Sequence, residues 1–191
     1  RPRAPESGAA AGVARRLIRG CGCRGRMLAR ALVQAGHAVR GTTRDPARLP
    51  GIEAAGAEAL VADPDRVATI APALDHVTVV CVLLGSAAGD PSRLEALHGS
   101  RLEMLLTRLV DTTMHGLVYE ARGSAPPDLL EHGTDLVAGF AARTHARCEL
   151  LRADPADPAA WLRAAVASVD AVLGPARSPA DSYLRRGQTA R

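Results

Sequence analysis

Apolar residues along the chain form short runs, separated by segments in which they recur at helical spacing. The short runs predict six β-strands, at residues 13–19, 37–43, 57–62, 76–84, 116–121 and 148–152. The run at 76–84 is the most apolar of them, which is typical of a central strand buried on both faces.

The intervening segments predict helices, because their apolar positions repeat with a period near 3.6 residues. The predicted helices cover a short segment after Arg44 and residues 27–36, 67–74, 94–114, 129–147 and 157–174. Residues 94–114 are expected to form one long amphipathic helix, which either covers the sheet or forms the face of a homodimer. Strands that alternate with helices predict an α/β fold with a doubly wound parallel sheet.

One domain is expected over residues 13–174, since a chain of 191 residues suits a single domain. Residues 1–12 are predicted to be a disordered lead-in, and residues 175–191 a flexible arginine-rich tail. No apolar stretch approaches the ~20 residues that a membrane span needs, so no membrane partner is expected.

The composition of the chain argues against some classes of function. The net charge is +4, lysine is absent and aromatic residues make up 2%. Because the arginines are dispersed and stacking aromatics are scarce, nucleic-acid binding is not favoured, and a regulator using the arginine-rich tail is the weakest alternative. The cysteines match neither a disulfide framework nor a metal-ligand spacing, so free thiols, a reducing cytoplasm and no metal site are expected for Cys21, Cys23, Cys81 and Cys148.

The strongest motif is Gly20-Cys-Gly-Cys-Arg-Gly25, a G-x-G-x-x-G sequence between the first predicted strand and the first predicted helix. Gly20 permits a tight turn, Gly22 leaves room for a pyrophosphate, and Gly25 lets the helix approach the strand. The helix N-terminus then offers free N–H groups to the phosphates. This placement predicts a Rossmann-type dinucleotide site, and the alternative is an ordinary strand-to-helix turn.

The end of the second strand indicates which dinucleotide is bound. Thr43 and Arg44 stand about 20 residues past the loop, where an arginine accommodates a 2′-phosphate and an acid binds a ribose hydroxyl. NADP is therefore favoured over NAD, although Asp45 is adjacent. Asp63 follows the third strand, where it either faces the adenine or forms a turn. The fourth strand ends where the nicotinamide ribose is expected, at Leu84 and Gly85.

The segments that carry these features resemble the NAD(P)-binding half of the atypical short-chain dehydrogenase/reductase superfamily. They are Gly20–Gly25, Gly36-His37, Gly41-Thr-Thr-Arg-Asp45 and Ala62-Asp63. Within that superfamily the chain is similar to NAD-dependent epimerase/dehydratase-like proteins, closely over residues 15–90 and more loosely to 174. The resemblance implies that the pyrophosphate lies against Gly20, Gly22, Cys23, Arg24 and Gly25. It also implies that Thr43 and Arg44 hold the adenosine ribose and that Asp63 faces the adenine.

The catalytic machinery departs from that superfamily. Its catalytic members use a Tyr-x-x-x-Lys pair, which a chain without lysine cannot form. Tyr119 lies within a predicted strand, where core packing is the simpler role, and Tyr183 lies in the predicted tail. Glu120 and Ser124 follow the fifth strand and are weak candidates for catalysis, as is Tyr119. Two functions stay open: an NAD(P)-dependent oxidoreductase or epimerase-like enzyme with an unidentified small-molecule substrate, and a non-catalytic dinucleotide-binding sensor or subunit.

Overall fold

Six parallel strands form one sheet in the order β3-β2-β1-β4-β5-β6. The computed structural model describes residues 15–63 and 67–174. The strands are β1 Arg15–Arg19, β2 Ala38–Thr43, β3 Glu58–Val61, β4 Val77–Val82, β5 Gly116–Glu120 and β6 Arg147–Leu151. This arrangement confirms the predicted doubly wound parallel sheet. The predictions for residues 1–12 and 175–191, with Tyr183, lie outside the described residues.

Helices connect successive strands. They are α1 Cys23–Gln34, α2 Leu49–Glu53, α3 Val67–Leu74, α4 Pro91–His98, α5 Ser100–Leu109, α6 Pro127–Arg143 and α7 Pro158–Leu173, and a 3₁₀ turn, Pro46–Arg48, precedes α2. No helix in the described part of the chain is long and apolar enough to cross a membrane.

Alternate side chains of the strands pack into two separate cores, as a pleated sheet requires. Ile18, Cys81 and Val118 belong to the core that contains buried side chains of α1, α2 and α7. Leu17 and Val80 belong to the core beneath α3, α5 and α6. Each face of the sheet is therefore closed by its own layer of helices.

β1 pairs with both β2 and β4, so the strand order reverses between β1 and β4. Loops after neighbouring strands part at such a reversal and leave a crevice at the carboxyl ends of the strands. The position of the crevice follows directly from the order of the sheet.

The single helix expected over residues 94–114 is wrong. Gly99 breaks it with φ −113° and ψ −109°, and α5 ends at Leu109. Glycine is unfavourable in the interior of a helix because it loses more backbone freedom on folding than any other residue. Beyond α5, the Thr112 hydroxyl donates to the Leu109 carbonyl at 2.8 Å, which supports a turn in place of further helix. The helix predicted up to residue 147 also ends earlier, at Arg143.

Gly133 lets α6 approach β5 closely. A Cβ built on Gly133 would lie 2.6 Å from Cζ of Tyr119. The phenol cannot move aside freely, because it is fully buried and its hydroxyl lies 2.7 Å from Nδ1 of His98. The contact between this helix and the sheet therefore depends on a glycine at this position.

Replacing Gly133 by alanine is expected to lower the free energy of unfolding by about 1–3 kcal/mol, the usual cost of overpacking a core. Urea denaturation measures this change. Gly139→Ala is the matched control in the same helix, since its added Cβ would meet only the end of the Arg143 side chain, at 3.1 Å. That control should be neutral or stabilising by up to about 1 kcal/mol. Equal losses in the two variants would contradict the proposed contact.

Candidate functional site

The three motif glycines have different structural reasons to lack a side chain. Gly20 has φ +86°, and a Cβ there would overlap the Leu83 carbonyl group. A Cβ on Gly25 would lie 2.8 Å from the Gly20 carbonyl oxygen, so this glycine lets α1 start close to the turn. Gly22 has no atom within 4 Å of the position a Cβ would take. The open space beside Gly22 is where a ligand fits against the backbone.

The N-terminus of α1 faces this space without a cap of its own. Gly22 is the N-cap residue, no side chain accepts a hydrogen bond from the first turn, and that turn carries no acidic residue. The first N–H groups of a helix have no partner within the helix, and they lie at the positive end of its dipole. Such a terminus suits an anion, so these residues fit the pyrophosphate of a dinucleotide.

A cleft of about 480 Å³ runs from this turn along the carboxyl ends of the strands. At its centre are Arg19 and the glycine loop. On the β2 side the lining residues are Thr42, Thr43, Arg44, Arg48 and Ala62. On the β4 side they are Leu83, Leu84, Ser86, Ala87, Ala88 and Leu97. The lining residues therefore come from both sides of the strand-order reversal, the place where such sheets bind dinucleotides.

Most of the residues singled out from the sequence meet in this cleft. They are Gly20, Gly22, Cys23, Arg24, Gly25, Thr43, Arg44, Leu84 and Glu120. Four others do not line it: Asp63, Gly85, Tyr119 and Ser124. Tyr119 is absent from the lining because it points to the opposite face of the sheet from Glu120.

Asp63 and Ser124 are positioned by their backbones. The N–H of Asp63 donates to Oγ1 of Thr69 at 2.9 Å, and its neighbour Ala62 lines the cleft. Ser124 is exposed, and its N–H donates to Oγ of Ser86 at 3.3 Å.

At the end of β2, arginine side chains line the cleft, whereas the neighbouring acid, Asp45, does not. Asp45 accepts a hydrogen bond from the N–H of Ala47 at 3.0 Å and thereby caps the 3₁₀ turn. Its other carboxylate oxygen lies 3.5 Å from Nε of Arg48. Arg44 and Arg48 both line the cleft, whereas Asp45 does not. The net charge at this end of the cleft is therefore positive.

Glu120 closes the floor of the cleft, with 1% of its surface exposed. One carboxylate oxygen accepts from the N–H of Gly85 at 2.8 Å. The other accepts from Nε1 of Trp161 at 3.0 Å and lies 3.5 Å from Nε of Arg24. Arg24 also stands over the Trp161 ring, 5.6 Å from its centroid. This set of contacts, the Glu120 network, joins α1, the loop after β4 and α7.

Burial raises the pKa of Glu120, while the Arg24 charge and the hydrogen bonds from Gly85 and Trp161 oppose that rise. The opposing contacts favour the carboxylate form, which is the form able to accept from both N–H donors. The network thus anchors the cleft wall, because it ties Glu120, Arg24 and the loop at Gly85, which lie in or beside the cleft lining, to Trp161 of α7.

Tyr119 points to the opposite face of the sheet. Its ring packs in the core beneath α5 and α6 and makes an edge-on contact with His98. Burial and the Glu120 charge raise the pKa of its hydroxyl. This placement agrees with the core-packing role that the sequence favoured for Tyr119.

Arg19, Arg48 and Trp161 contribute to the site but were not identified as site residues from the sequence. Arg19 had a usable signal, since it is a charged residue that ends an apolar strand directly before the glycine loop. Trp161 had none, because its contact with Glu120 spans 41 positions of sequence. Among the described residues, no group of three or more His, Cys, Asp or Glu side chains could hold a metal ion.

Replacing Glu120 by glutamine should lower the free energy of unfolding by about 1–3 kcal/mol, because the amide nitrogen leaves one buried N–H donor without an acceptor. Urea denaturation again provides the measurement. The control is Asp154→Asn, which removes the same charge from an exposed pair with Arg122 at 2.7 Å. Exposed pairs contribute at most about 1 kcal/mol. If Glu120→Gln cost no more than the control, Glu120 would not organise the cleft wall.

A family model described as NAD(P)H-binding matches residues 20–120, more than half of the chain. The match begins at the first motif glycine and ends at Glu120. No curated protein sequence matches the chain significantly.

Solved structures share the fold at low sequence identity. A protein assigned to the short-chain dehydrogenase/reductase family of oxidoreductases, from Aeromonas hydrophila subsp. hydrophila, aligns with a TM-score of 0.64 and 18% identity, over 87% of this chain and 93% of that one. A short-chain dehydrogenase/reductase superfamily protein from Agrobacterium tumefaciens, with bound NAD, gives 0.61 and 18%, over 72% of this chain and 48% of that one. A protein assigned as an NAD-dependent epimerase/dehydratase, from Bacillus halodurans, gives 0.59 and 17%, over 74% and 71%.

The chain spans about half the length of the NAD-bound structure and of another solved structure that shares the fold. At these identities the likeness establishes the fold. It confirms the arrangement of strands and helices that the glycine loop led us to expect.

Proposed function

Because the chain belongs to the NAD(P)H-binding family, we propose that it holds a nicotinamide dinucleotide in the cleft described above and prefers NADP(H) to NAD(H). One observation carries the proposal: the uncapped N-terminus of α1 opens beside Gly22, into a cleft whose β2 end is lined by Arg44 and Arg48.

The pyrophosphate is assigned to the glycine loop. The N–H groups at the start of α1 bind the phosphate oxygens, and Gly22 leaves room for their approach. Cys23 and Arg24 line the same part of the cleft. The Arg24 side chain is tied to Glu120 and Trp161. We therefore assign Arg24 mainly to holding the loop in place.

The preference for NADP(H) is assigned to Arg44 and Arg48. A 2′-phosphate is a dianion whose oxygens suit the planar donor fork of a guanidinium group. A ribose hydroxyl would call for an acidic acceptor, and the nearest acid, Asp45, caps the 3₁₀ turn outside the cleft lining. The adenine is assigned to the space beside Ala62, next to Asp63.

Arg44→Ala is expected to raise the dissociation constant for NADPH by about tenfold or more, since a hydrogen bond to a charged group contributes about 1.5–3 kcal/mol. The same variant should leave NADH binding within about twofold of the unmodified protein, because NADH lacks the phosphate that this arginine binds. Isothermal titration calorimetry with both nucleotides measures the two constants.

Two variants complete this test. Gly22→Asp should abolish binding of both nucleotides, because it places a carboxylate where the pyrophosphate fits. Arg30→Ala removes an exposed arginine of α1 that does not line the cleft and should change neither constant. Equal effects of Arg44→Ala on NADPH and NADH would refute the assigned NADP(H) preference.

For the reaction, we propose an oxidoreductase or epimerase-like activity on a small carbonyl or hydroxyl compound. The bound nicotinamide supplies or accepts the hydride. The chain's own contribution is to hold the substrate against the β4 side of the cleft, where Leu84 and Leu97 exclude water and Ser86 offers a hydroxyl. The substrate itself, a homodimer and a cytoplasmic location stay predictions.

A second function is favoured by the placement of the side chains that could transfer a proton. Tyr119 lies off the cleft and pairs with His98, Glu120 is fully engaged, and the sequence contains no lysine. A protein with this arrangement would bind the dinucleotide without turning over a carbonyl compound, as a sensor or a subunit.

Incubation with NADPH and a panel of aldehydes and ketones distinguishes the two functions. The oxidoreductase proposal expects loss of NADPH absorbance with at least one class of carbonyl compound, and no loss in Gly22→Asp under the same conditions. Tight NADPH binding, with no oxidation of NADPH by any carbonyl compound in the panel and no reduction of NADP+ by the corresponding alcohols, would favour the sensor or subunit.

A further inference from the structure

Arg19 is a buried cation in the cleft that lacks a partner for part of its charge. It is the last residue of β1, it lines the cleft, and 8% of its surface is exposed. Its Nη2 is buried and makes no hydrogen bond to the described part of the protein. Buried polar atoms are nearly always hydrogen-bonded, so an exception inside a binding cleft points to a missing ligand.

The pleat of β1 places Arg19 on a definite side of the sheet. Ile18 faces the core of α1 and α7, and Leu17 faces the core of α5 and α6. Arg19 follows Ile18 and so lies on the α5 side, away from the layer of α1. The charge of the Arg101 guanidinium, at the start of α5, acts on Arg19.

Within residues 15–63 and 67–174, the surroundings of Arg19 offer positive charge and apolar surface but no counter-ion. Burial lowers the pKa of Arg19 to about 10, and the Arg101 charge acts in the same direction. The side chain is still protonated at neutral pH. The one carboxylate that lines the cleft, among the described residues, is Glu120, which is engaged by Arg24, Gly85 and Trp161. An unpaired buried charge is costly, and an anion in the cleft would remove that cost.

We propose that Arg19 is an anion-binding residue that receives a phosphate or carboxylate oxygen of a ligand in the cleft. The proposal extends the proposed function, because the anion belongs either to the dinucleotide or to a substrate bound next to it. The position on the α5 side favours the substrate, since the pyrophosphate is assigned to the N-terminus of α1 on the other side. The substrate class is then a carbonyl or hydroxyl compound that carries a carboxylate or phosphate group.

The test compares Arg19→Met with Arg16→Met. Arg16 is on the same strand and is also 8% exposed, but it does not line the cleft. Thermal melting of each protein is followed with inorganic phosphate, inorganic pyrophosphate and malonate at constant ionic strength, first alone and then with saturating NADPH. Calorimetry supplies the NADPH dissociation constants.

Phosphate or malonate should raise the melting temperature of the unmodified protein and of Arg16→Met. The half-saturating concentration should be about tenfold higher, or the response lost, in Arg19→Met, because a charge-assisted hydrogen bond is removed. Arg19→Met should itself melt no lower than the unmodified protein, since it removes an unpaired buried charge. A purely structural arginine would give the opposite result. If Arg19→Met does not fold, Arg19→Gln replaces it.

The two sources of the anion give different results. A substrate anion predicts that the anion response persists with NADPH bound and that Arg19→Met binds NADPH within about twofold of normal. If Arg19 instead binds the pyrophosphate of the dinucleotide, NADPH should abolish the anion response, and Arg19→Met should raise the NADPH dissociation constant by about tenfold. Equal responses of Arg19→Met and the unmodified protein to all anions and to NADPH would overturn the proposal. If NADPH does not bind at all, the proposed function fails, and the titrations without nucleotide still decide the role of Arg19.

Discussion

The carboxylate of Glu120 sets the shape of the cleft because it bonds to parts of the chain that are otherwise independent. Its acceptor oxygens hold the Gly85 N–H and the Trp161 indole, and its charge holds Arg24. These groups come from the loop after β4, from α7 and from the first turn of α1. A buried carboxylate is stable only when its lone pairs and its charge are compensated. The three elements are thus fixed relative to one another by the requirement to compensate one acid.

The glycines explain how a backbone can be packed this closely around the site. Gly20 turns with positive φ, and Gly25 lets α1 begin against the turn. Gly85 passes so close to β5 that a Cβ would lie 2.6 Å from the Arg122 carbonyl oxygen. Each of these positions excludes a side chain for a reason of space or backbone conformation. Gly22 differs, because its neighbourhood is empty and is available to a ligand.

The cleft is positively charged because its arginines outnumber its free acids. Arg19, Arg44 and Arg48 line it, while Glu120 is compensated and Asp45 serves as a cap. This distribution suits a polyanionic ligand along the whole length of the cleft. It also separates binding from catalysis, since the cleft presents groups that suit a dinucleotide, whereas Tyr119, the tyrosine among the described residues, packs in the core.

The sequence was sufficient for features that depend on neighbouring residues. The alternation of strands and helices and the position of the glycine loop between β1 and α1 were predicted correctly. The family match confirms that the chain is NAD(P)H-binding, and solved structures share its fold. The break at Gly99 was missed because apolar spacing continues through it, and only the backbone conformation shows that the helix ends there.

Other features depend on residues that are far apart in the chain. The contacts of Glu120 with Gly85 and Trp161 span 35 and 41 positions, and no local pattern predicts them. The sequence placed Tyr119 and Glu120 side by side as candidates for catalysis, and the pleat of β5 sent them to opposite faces. Likewise, the sequence showed that an arginine precedes the glycine loop, but only the packing of two helix layers left its charge buried without a partner. The sequence by itself determined which strands form and that a glycine loop stands between β1 and α1, because those properties are local. The tertiary structure decided which charges are compensated, because compensation depends on which distant groups the fold brings together.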